Sequence, residues 1–282
     1  MDRYKAAAVS IVFTIILIGN AVAGDADGAD TAFEKSEAYG HYTKGLDHVK
    51  NGRGEQAIGE YIKSLELFPD QYLVYSALGY AYFYTGKFDP ALQCFRKAIF
   101  LKPDFPEAVR GIACVYMGIG QENEATVYLE KAIALDHTFA SPYMTLGVIY
   151  SHKGRYREAI DLFNKVVAVI PTFDTAYFEL GKAYQAIGEL DPAIQSYEKC
   201  ISLNENMRKP YLPLSDCYAA KKDYRKALHS ASIARRLDPD DKEAQKATRY
   251  LYYKTVKARE AEEVKAAQRA TEDRTQKVIM AE

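Results

Sequence analysis

Two histidines, His41 and His48, stand seven residues apart. On a helix that spacing puts both on one side, two turns apart, where two imidazole nitrogens could reach a metal ion. His137, His152 and His229 have no nucleophile or acid at a spacing that defines a triad. Four cysteines, Cys94, Cys114, Cys200 and Cys217, keep disulfides open if the chain matures in an oxidising compartment. There is no phosphate-cradling glycine loop, dinucleotide fingerprint, nucleophile elbow or zinc-protease helix motif. A net charge of -1 gives no reason to expect nucleic acid as a partner. The expectation is a protein that is not an enzyme and carries no cofactor and no metal.

The segments that would position these groups read as helices. From Tyr72 to Pro103, apolar or small residues at Tyr75, Leu78, Gly79 and Tyr82 line one helical face, and Ala91, Phe95 and Ala98 line a second. Gly86 suits the left-handed end of the first helix, and Asp89-Pro90 reads as an N-cap followed by proline at the first helical position. Gly79 and Ala98 are small where two backbones must approach, and Tyr82 and Phe95 fill the space beside them.

The unit recurs. In steps of thirty-four residues, Gly79 is followed and preceded by Gly45, Ala113, Gly147, Gly181 and Ser215, all small. Ala91 falls in register with Ala57, Ala125, Ala159, Ala193 and Ala227. Pro69, Pro103, Pro171 and Pro239 share the helix-ending position with His137 and Glu205. The turn position holds Gly52, Gly86, Gly120, Gly154 and Gly188, then Lys222. Asp70, Asp104, Thr138, Thr172, Asn206 and Asp240 each precede a new helix and could accept its free amides. In this register His41 and His48 occupy the packing positions of Tyr75 and Tyr82, which favours packing over metal ligation. Cys200 takes a small-residue position on one helix and Cys217 lies on the next, so that pair is a candidate disulfide, with two buried free thiols as the other reading.

Tyr75, Leu78, Gly79, Tyr82, Ala91, Phe95, Ala98 and Pro103 resemble the tetratricopeptide signature, with Tyr75 where the family has tryptophan. The resemblance implies an all-α, right-handed α-solenoid of six helix pairs at residues 38–71, 72–105, 106–139, 140–173, 174–207 and 208–241. Residues 242–282 then supply a capping helix and a charged helical tail. On the capping helix Ala244, Thr248, Leu251 and Thr255 share one face, suited to covering the end of the stack.

Residues 1–23 read as a signal peptide: a basic MDRYK start, an apolar run from Ala6 to Ile18, and Ala21-Val22-Ala23 before the cut. Thirteen apolar residues are short for a membrane span, which needs roughly 20. Export to the periplasm or cell exterior with cleavage after Ala23 is expected, an N-terminal membrane anchor being the alternative. Residues 24–37 read as a flexible acidic lead-in with little to bury.

The resemblance also implies that the first helix of each repeat lines a concave groove for partner segments. In this chain those positions hold Tyr39, Tyr42 and Leu46, then Leu73, Tyr80, Phe83 and Tyr84, then Arg110 and Met117, then Met144 and Val148, and finally Phe178 and Lys182. Only Arg110 corresponds to the basic residues of repeats that clamp a C-terminal carboxylate, so that mode is not expected. An aromatic and aliphatic trough suits an apolar or aromatic segment of a protein partner, with self-association as a competing use. The groove thus predicts a non-enzymatic interaction scaffold, with envelope assembly as an expected setting. The alternative is a carbohydrate-binding module for an envelope polymer, using tyrosines as sugar platforms; it is the weaker reading, because the carboxylate and amide such a site needs, Glu179 and Gln185, lie several repeats from Tyr80.

Overall fold

The computed structural model describes residue 33 and residues 36–279, with side chains described through residue 269. The expected signal segment and most of the lead-in lie outside the described residues. Among the described residues there are thirteen helices and no strand: α1 (Glu37–Lys50), α2 (Gly54–Leu67), α3 (Tyr72–Tyr84), α4 (Phe88–Leu101), α5 (Pro106–Gly118), α6 (Glu122–Leu135), α7 (Ala140–His152), α8 (Tyr156–Val169), α9 (Asp174–Ala186), α10 (Leu190–Leu203), α11 (Tyr211–Ala220), α12 (Tyr224–Leu237) and α13 (Lys242–Ile279). None is long and apolar enough to cross a membrane. The chain divides into two compact units, residues 1–149 and 150–282.

In the first unit α1 packs on α2, α3 on α4 and α5 on α6, with α2 against α3 and α4 against α5. The first helices also touch one another, α1 with α3 and α3 with α5. The second unit repeats the scheme through α9–α10 and α11–α12, with α8 against α9, α10 against α11, and α13 against α12. Helices meet mainly their sequence neighbours, as a thirty-four-residue period requires.

The small positions have a geometric cause. A Cβ on Gly79 would come within 2.8 Å of the Phe95 ring, and one on Gly111 within 2.3 Å of it, so Phe95 is clamped between α3 and α5 and fully buried. A Cβ on Gly45 would likewise come within 2.3 Å of the Tyr61 ring, and one on Gly181 within 2.5 Å of the Tyr197 ring. Burying each ring contributes roughly 1.5–3 kcal/mol, which a methyl group at the facing glycine would disrupt.

The turns within pairs carry positive φ at the expected position, between 70° and 82° for the glycines and 63° for Lys222. Helix starts differ from expectation. Asp89 does not cap α4: the cap is Lys87, and Asp89 and Pro90 fall inside the first turn. The chain leaves the left-handed Gly86 with Lys87 N–H bonded to Tyr82 O at 2.8 Å, so helical geometry resumes two residues earlier. Nor do Asp70, Asp104, Thr172 and Asn206 cap the next helices, whose cap residues are Gln71, Phe105, Phe173 and Pro210, without side-chain bonds. Side-chain caps do occur at Ser36 and Asp223, and Asp241 Oδ1 accepts from the amides of Glu243 and Ala244 at 2.9 and 3.2 Å. Helix α11 begins at Tyr211, three residues after the period's start, because Lys209 precedes a proline and is disfavoured from helical geometry.

The lead-in is not wholly without burial. Phe33 is 1% exposed, 5.6 Å edge-on to Tyr39, 5.5 Å from Phe68 and 6.1 Å from Tyr42. Its carbonyl accepts from the Ser36 hydroxyl at 2.6 Å, tying it to the start of α1. At the other end Ala244, Thr248 and Leu251 are buried, and Thr255 Oγ1 donates to Tyr224 O at 3.1 Å, so the expected face of α13 covers α12. From Arg259 to residue 269 the helix is solvent-exposed.

Candidate functional site

The candidate face in the first unit is built by α1, α3 and α5, which touch in that order. Helix α3, YLVYSALGYAYFY, is apolar nearly all round, so it fills the core with Val74, Leu78 and Ala81 and still presents aromatic rings elsewhere. Tyr39, Tyr42, Leu46, Leu73, Tyr80, Phe83, Tyr84 and Met117 are all half-buried. Tyr39 and Tyr42 carry the Phe33 ring, and burial pushes the Tyr42 phenol up to about 12. Tyr80 packs edge-on against Phe95 at 4.8 Å, and Phe83 lies 5.4 Å from Tyr84 and 6.0 Å from Phe88. Several groove positions are therefore structural, not freely open: a ring at the helix contact fills space on both sides.

Arg110 departs furthest from an exposed groove residue, at 3% exposure. Its guanidinium sits 5.0 Å from the centre of the Tyr80 ring and 5.9 Å from that of Phe139, and Nη1 donates to Cys114 Sγ at 3.6 Å. Its Nε is buried without a hydrogen-bond partner, and so is the Tyr84 hydroxyl. The Tyr80 hydroxyl donates to Glu107 O at 2.8 Å. Burial opposes the Arg110 charge, yet its pKa is raised and the guanidinium stays ionised. Burial pushes the Tyr80 and Tyr84 phenols and the Cys114 thiol up, so all three remain protonated. Met144, expected in the groove, is 1% exposed and belongs to the core, while Val148 is half-buried.

In the second unit Phe178 is half-buried 6.1 Å from Tyr197, and exposed Lys182 lies 5.4 Å over the Phe178 ring while pairing with Glu179 at 2.7 Å. Gln185 Oε1 accepts the Tyr197 hydroxyl at 2.8 Å. Cys200 and Cys217, the candidate disulfide, are both free thiols, as are Cys94 and Cys114. The Cys200 thiol donates to Met207 Sδ at 3.4 Å, and burial pushes its pKa up to about 12. His41 Nδ1 lies 2.7 Å from Glu60 Oε2, and His48 Nδ1 is buried without a partner. The signal that sequence reading missed was Phe33, an isolated ring in an acidic stretch.

Tetratricopeptide repeat family profiles match residues 72–105, 111–138 and 138–206. The chain is a tetratricopeptide repeat protein. Its fold is that of a non-catalytic protein-interaction scaffold. Among solved tetratricopeptide structures, MamA is 28% identical over 59% of this chain and 97% of that one, with a TM-score of 0.53. PilW, described as a widely conserved type IV pilus biogenesis factor, shows 21% identity over 75% and 98%, with a TM-score of 0.63. YrrB, described as a tetratricopeptide protein with an unusual peptide-binding site, shows 21% identity over 67% and 97%, with a TM-score of 0.56. The last two share the fold alone. No curated protein sequence matches the chain.

Proposed function

We propose that this tetratricopeptide protein is an exported, non-enzymatic scaffold that holds an apolar or aromatic segment of a partner protein on the α1–α3–α5 face of its first unit. The observation that carries this reading is the half-buried group of Leu73, Phe83, Tyr84 and Met117. Among the described residues these four stand on the two neighbouring helices α3 and α5 and keep part of their apolar surface exposed. Tyrosine and methionine also give large contact area that adapts to a peptide. The peptide-binding YrrB and the pilus factor PilW share this fold, which fits an envelope assembly role. The sugar-binding alternative loses ground, because Glu179 and Gln185 are already engaged by Lys182 and Tyr197.

Leu73→Glu with Met117→Glu changes this face without touching Phe95 or the glycines that clamp it. Cross-linking mass spectrometry from a photoreactive group at Phe83 in an envelope extract should identify a protein partner, and the double variant should lose it. Equal capture by the double variant refutes the face. For export, the intact mass of the protein from the envelope fraction should begin at Gly24; a mass beginning at Met1 points instead to an N-terminal anchor.

A further inference from the structure

We propose that the cleft between α12 and α13 of the second unit binds an acidic saccharide, with the carboxylate of a uronate on Arg235 and Arg249 and an apolar face of its ring on Tyr252. This site is separate from the α1–α3–α5 face and from Glu179 and Gln185, and it stands whether or not that face holds a peptide.

The two helices leave a cleft of about 700 Å³ between them, with Leu228, Ser232 and Arg235 on one wall and Gln245, Arg249 and Tyr252 on the other. Each set advances by three or four residues and so forms one stripe of its helix. Gln245 Nε2 donates to Pro239 O at 2.7 Å and Thr255 Oγ1 to Tyr224 O at 3.1 Å, which sets the helices antiparallel. The two arginines therefore share one part of the cleft, and Leu228 and Tyr252 the next.

Charge here has one sign. Helix α12, YRKALHSASIARRL, contains no acid. In the connection to α13, Asp238 and Asp241 are both held by Arg208, and Asp240 and Glu243 form no part of the cleft walls. Arg235 and Arg249 are exposed, and among the described residues neither has an ion pair or a hydrogen bond. Two guanidinium groups facing one space with no acid between them make a positive potential that an anion neutralises.

The remaining walls select the anion. Tyr252 is 64% exposed, a broad ring that gains contact by covering the C–H face of a sugar. Arg249 stands three residues before it, so a sugar lying on Tyr252 has its carboxylate within reach of that guanidinium. Gln245 spends its amide donor on Pro239 O and keeps Oε1 to accept, and the Ser232 hydroxyl has no partner among the described residues. Acceptors beside arginines suit a ligand that carries hydroxyl donors as well as charge, which a uronate does and inorganic phosphate at most partly does. An alkyl tail would gain little cover, because Arg249 and Tyr252 themselves stand in water.

The test titrates the full chain by calorimetry with trimers of galacturonate, glucuronate and mannuronate, and with maltotriose as the neutral trimer. At least one uronate trimer should bind, maltotriose should not, and Arg235→Gln, Arg249→Gln and Tyr252→Ala should each weaken the uronate roughly 10-fold. These three side chains are exposed, so circular dichroism should show an unchanged fold. Tyr253→Ala, exposed on the same helix but not a wall of the cleft, should bind like the unaltered protein. Inorganic phosphate binding as tightly as the best trimer, or Tyr252→Ala without effect, overturns the saccharide. Tighter binding of an oligothymidylate or of phosphatidylglycerol vesicles, lost in the same variants, assigns the cleft to a polynucleotide or a bilayer and overturns it too. Failure of all three uronate trimers to bind overturns the site.

Discussion

The two units share one repeat and differ in how completely they satisfy themselves. In the second unit the polar side chains find each other: Tyr197 with Gln185, Tyr218 with Glu198, Tyr211 with Glu205 O, Asn204 with Asp174, and Arg208 with Asp238 and Asp241. In the first unit the His48 Nδ1, Gln71 Oε1, Tyr84 hydroxyl, Arg110 Nε and Ser141 Oγ are buried without partners, against Ser151 Oγ alone among the described residues of the second. Helix α3 is almost wholly apolar, while α9, DTAYFELGKAYQA, alternates polar groups into the same scaffold. The repeat dictates the packing positions only. The remaining positions are free to differ, and among the described residues the first unit leaves more of its buried polar atoms without partners than the second.

The packing positions should give the largest effects and should do so in both units. Phe95→Ala removes the ring held between Gly79 and Gly111 and should cost roughly 3–5 kcal/mol. Denaturant unfolding and faster hydrogen exchange across α3–α5 would show it. Tyr197→Ala should act alike across α9–α11. If one of the pair costs below about 1 kcal/mol, the packing rule does not hold in that unit.

Hydroxyl deletions should separate the units. Tyr197→Phe leaves Gln185 Oε1 without its donor and should cost about 1–2 kcal/mol, whereas Tyr84→Phe removes a group with no partner and should be neutral or stabilising. Thermal melts of the two variants make the comparison. A Tyr84→Phe variant as damaged as Tyr197→Phe would mean that the first unit is satisfied after all, and the contrast would disappear.

Much of this fold was legible because packing obeys a period. Gly79, Ala91 and Phe95 are constrained by contacts that recur every thirty-four residues, and so is the turn at Gly86. What was less legible depends on single contacts. The caps could not be placed, since Asp70 and Asp104 are acceptable cap residues but backbone geometry starts each helix one residue later. Phe33 has no counterpart in the repeat, and its burial depends on Tyr39 and Phe68 being close in space. Arg110 looked like a groove residue because register gives the direction of a side chain and not the depth of its cover. The pairing of Cys200 with Met207 in place of Cys217 likewise depends on rotamers that periodicity does not specify.

The turn of the sixth pair offers a finer comparison with the five glycine turns. Lys222 holds φ at 63°, where a side chain is strained, and its N–H still bonds to Ala219 O at 2.9 Å. Lys222→Gly should relieve that strain by about 1 kcal/mol, reduced somewhat by the greater freedom of glycine in the unfolded chain. Gly86→Lys should lose a similar amount in the first unit. Melting temperatures moving in opposite directions for these two exchanges would show that the turns are equivalent despite their different residues.

The smallest effect is electrostatic and belongs to the first unit. Hydrogen bonds from Lys63 at 2.8 Å and His41 at 2.7 Å hold the Glu60 carboxyl down at about 2 against an ordinary value of 4.5. A carboxyl whose pKa is lowered by folding stabilises the protein above its unfolded value. That contribution is fully present above about pH 4.5 and is lost as pH falls toward 2. Because the pair is partly exposed and solvent screens it, the contribution is below about 1 kcal/mol. Glu60→Gln should therefore lower stability at pH 7 and converge with the unaltered protein toward pH 2, in urea titrations at several pH values. A constant difference between the two across that range would mean that the glutamate acts through packing, leaving the acid sensitivity of the first unit to other groups.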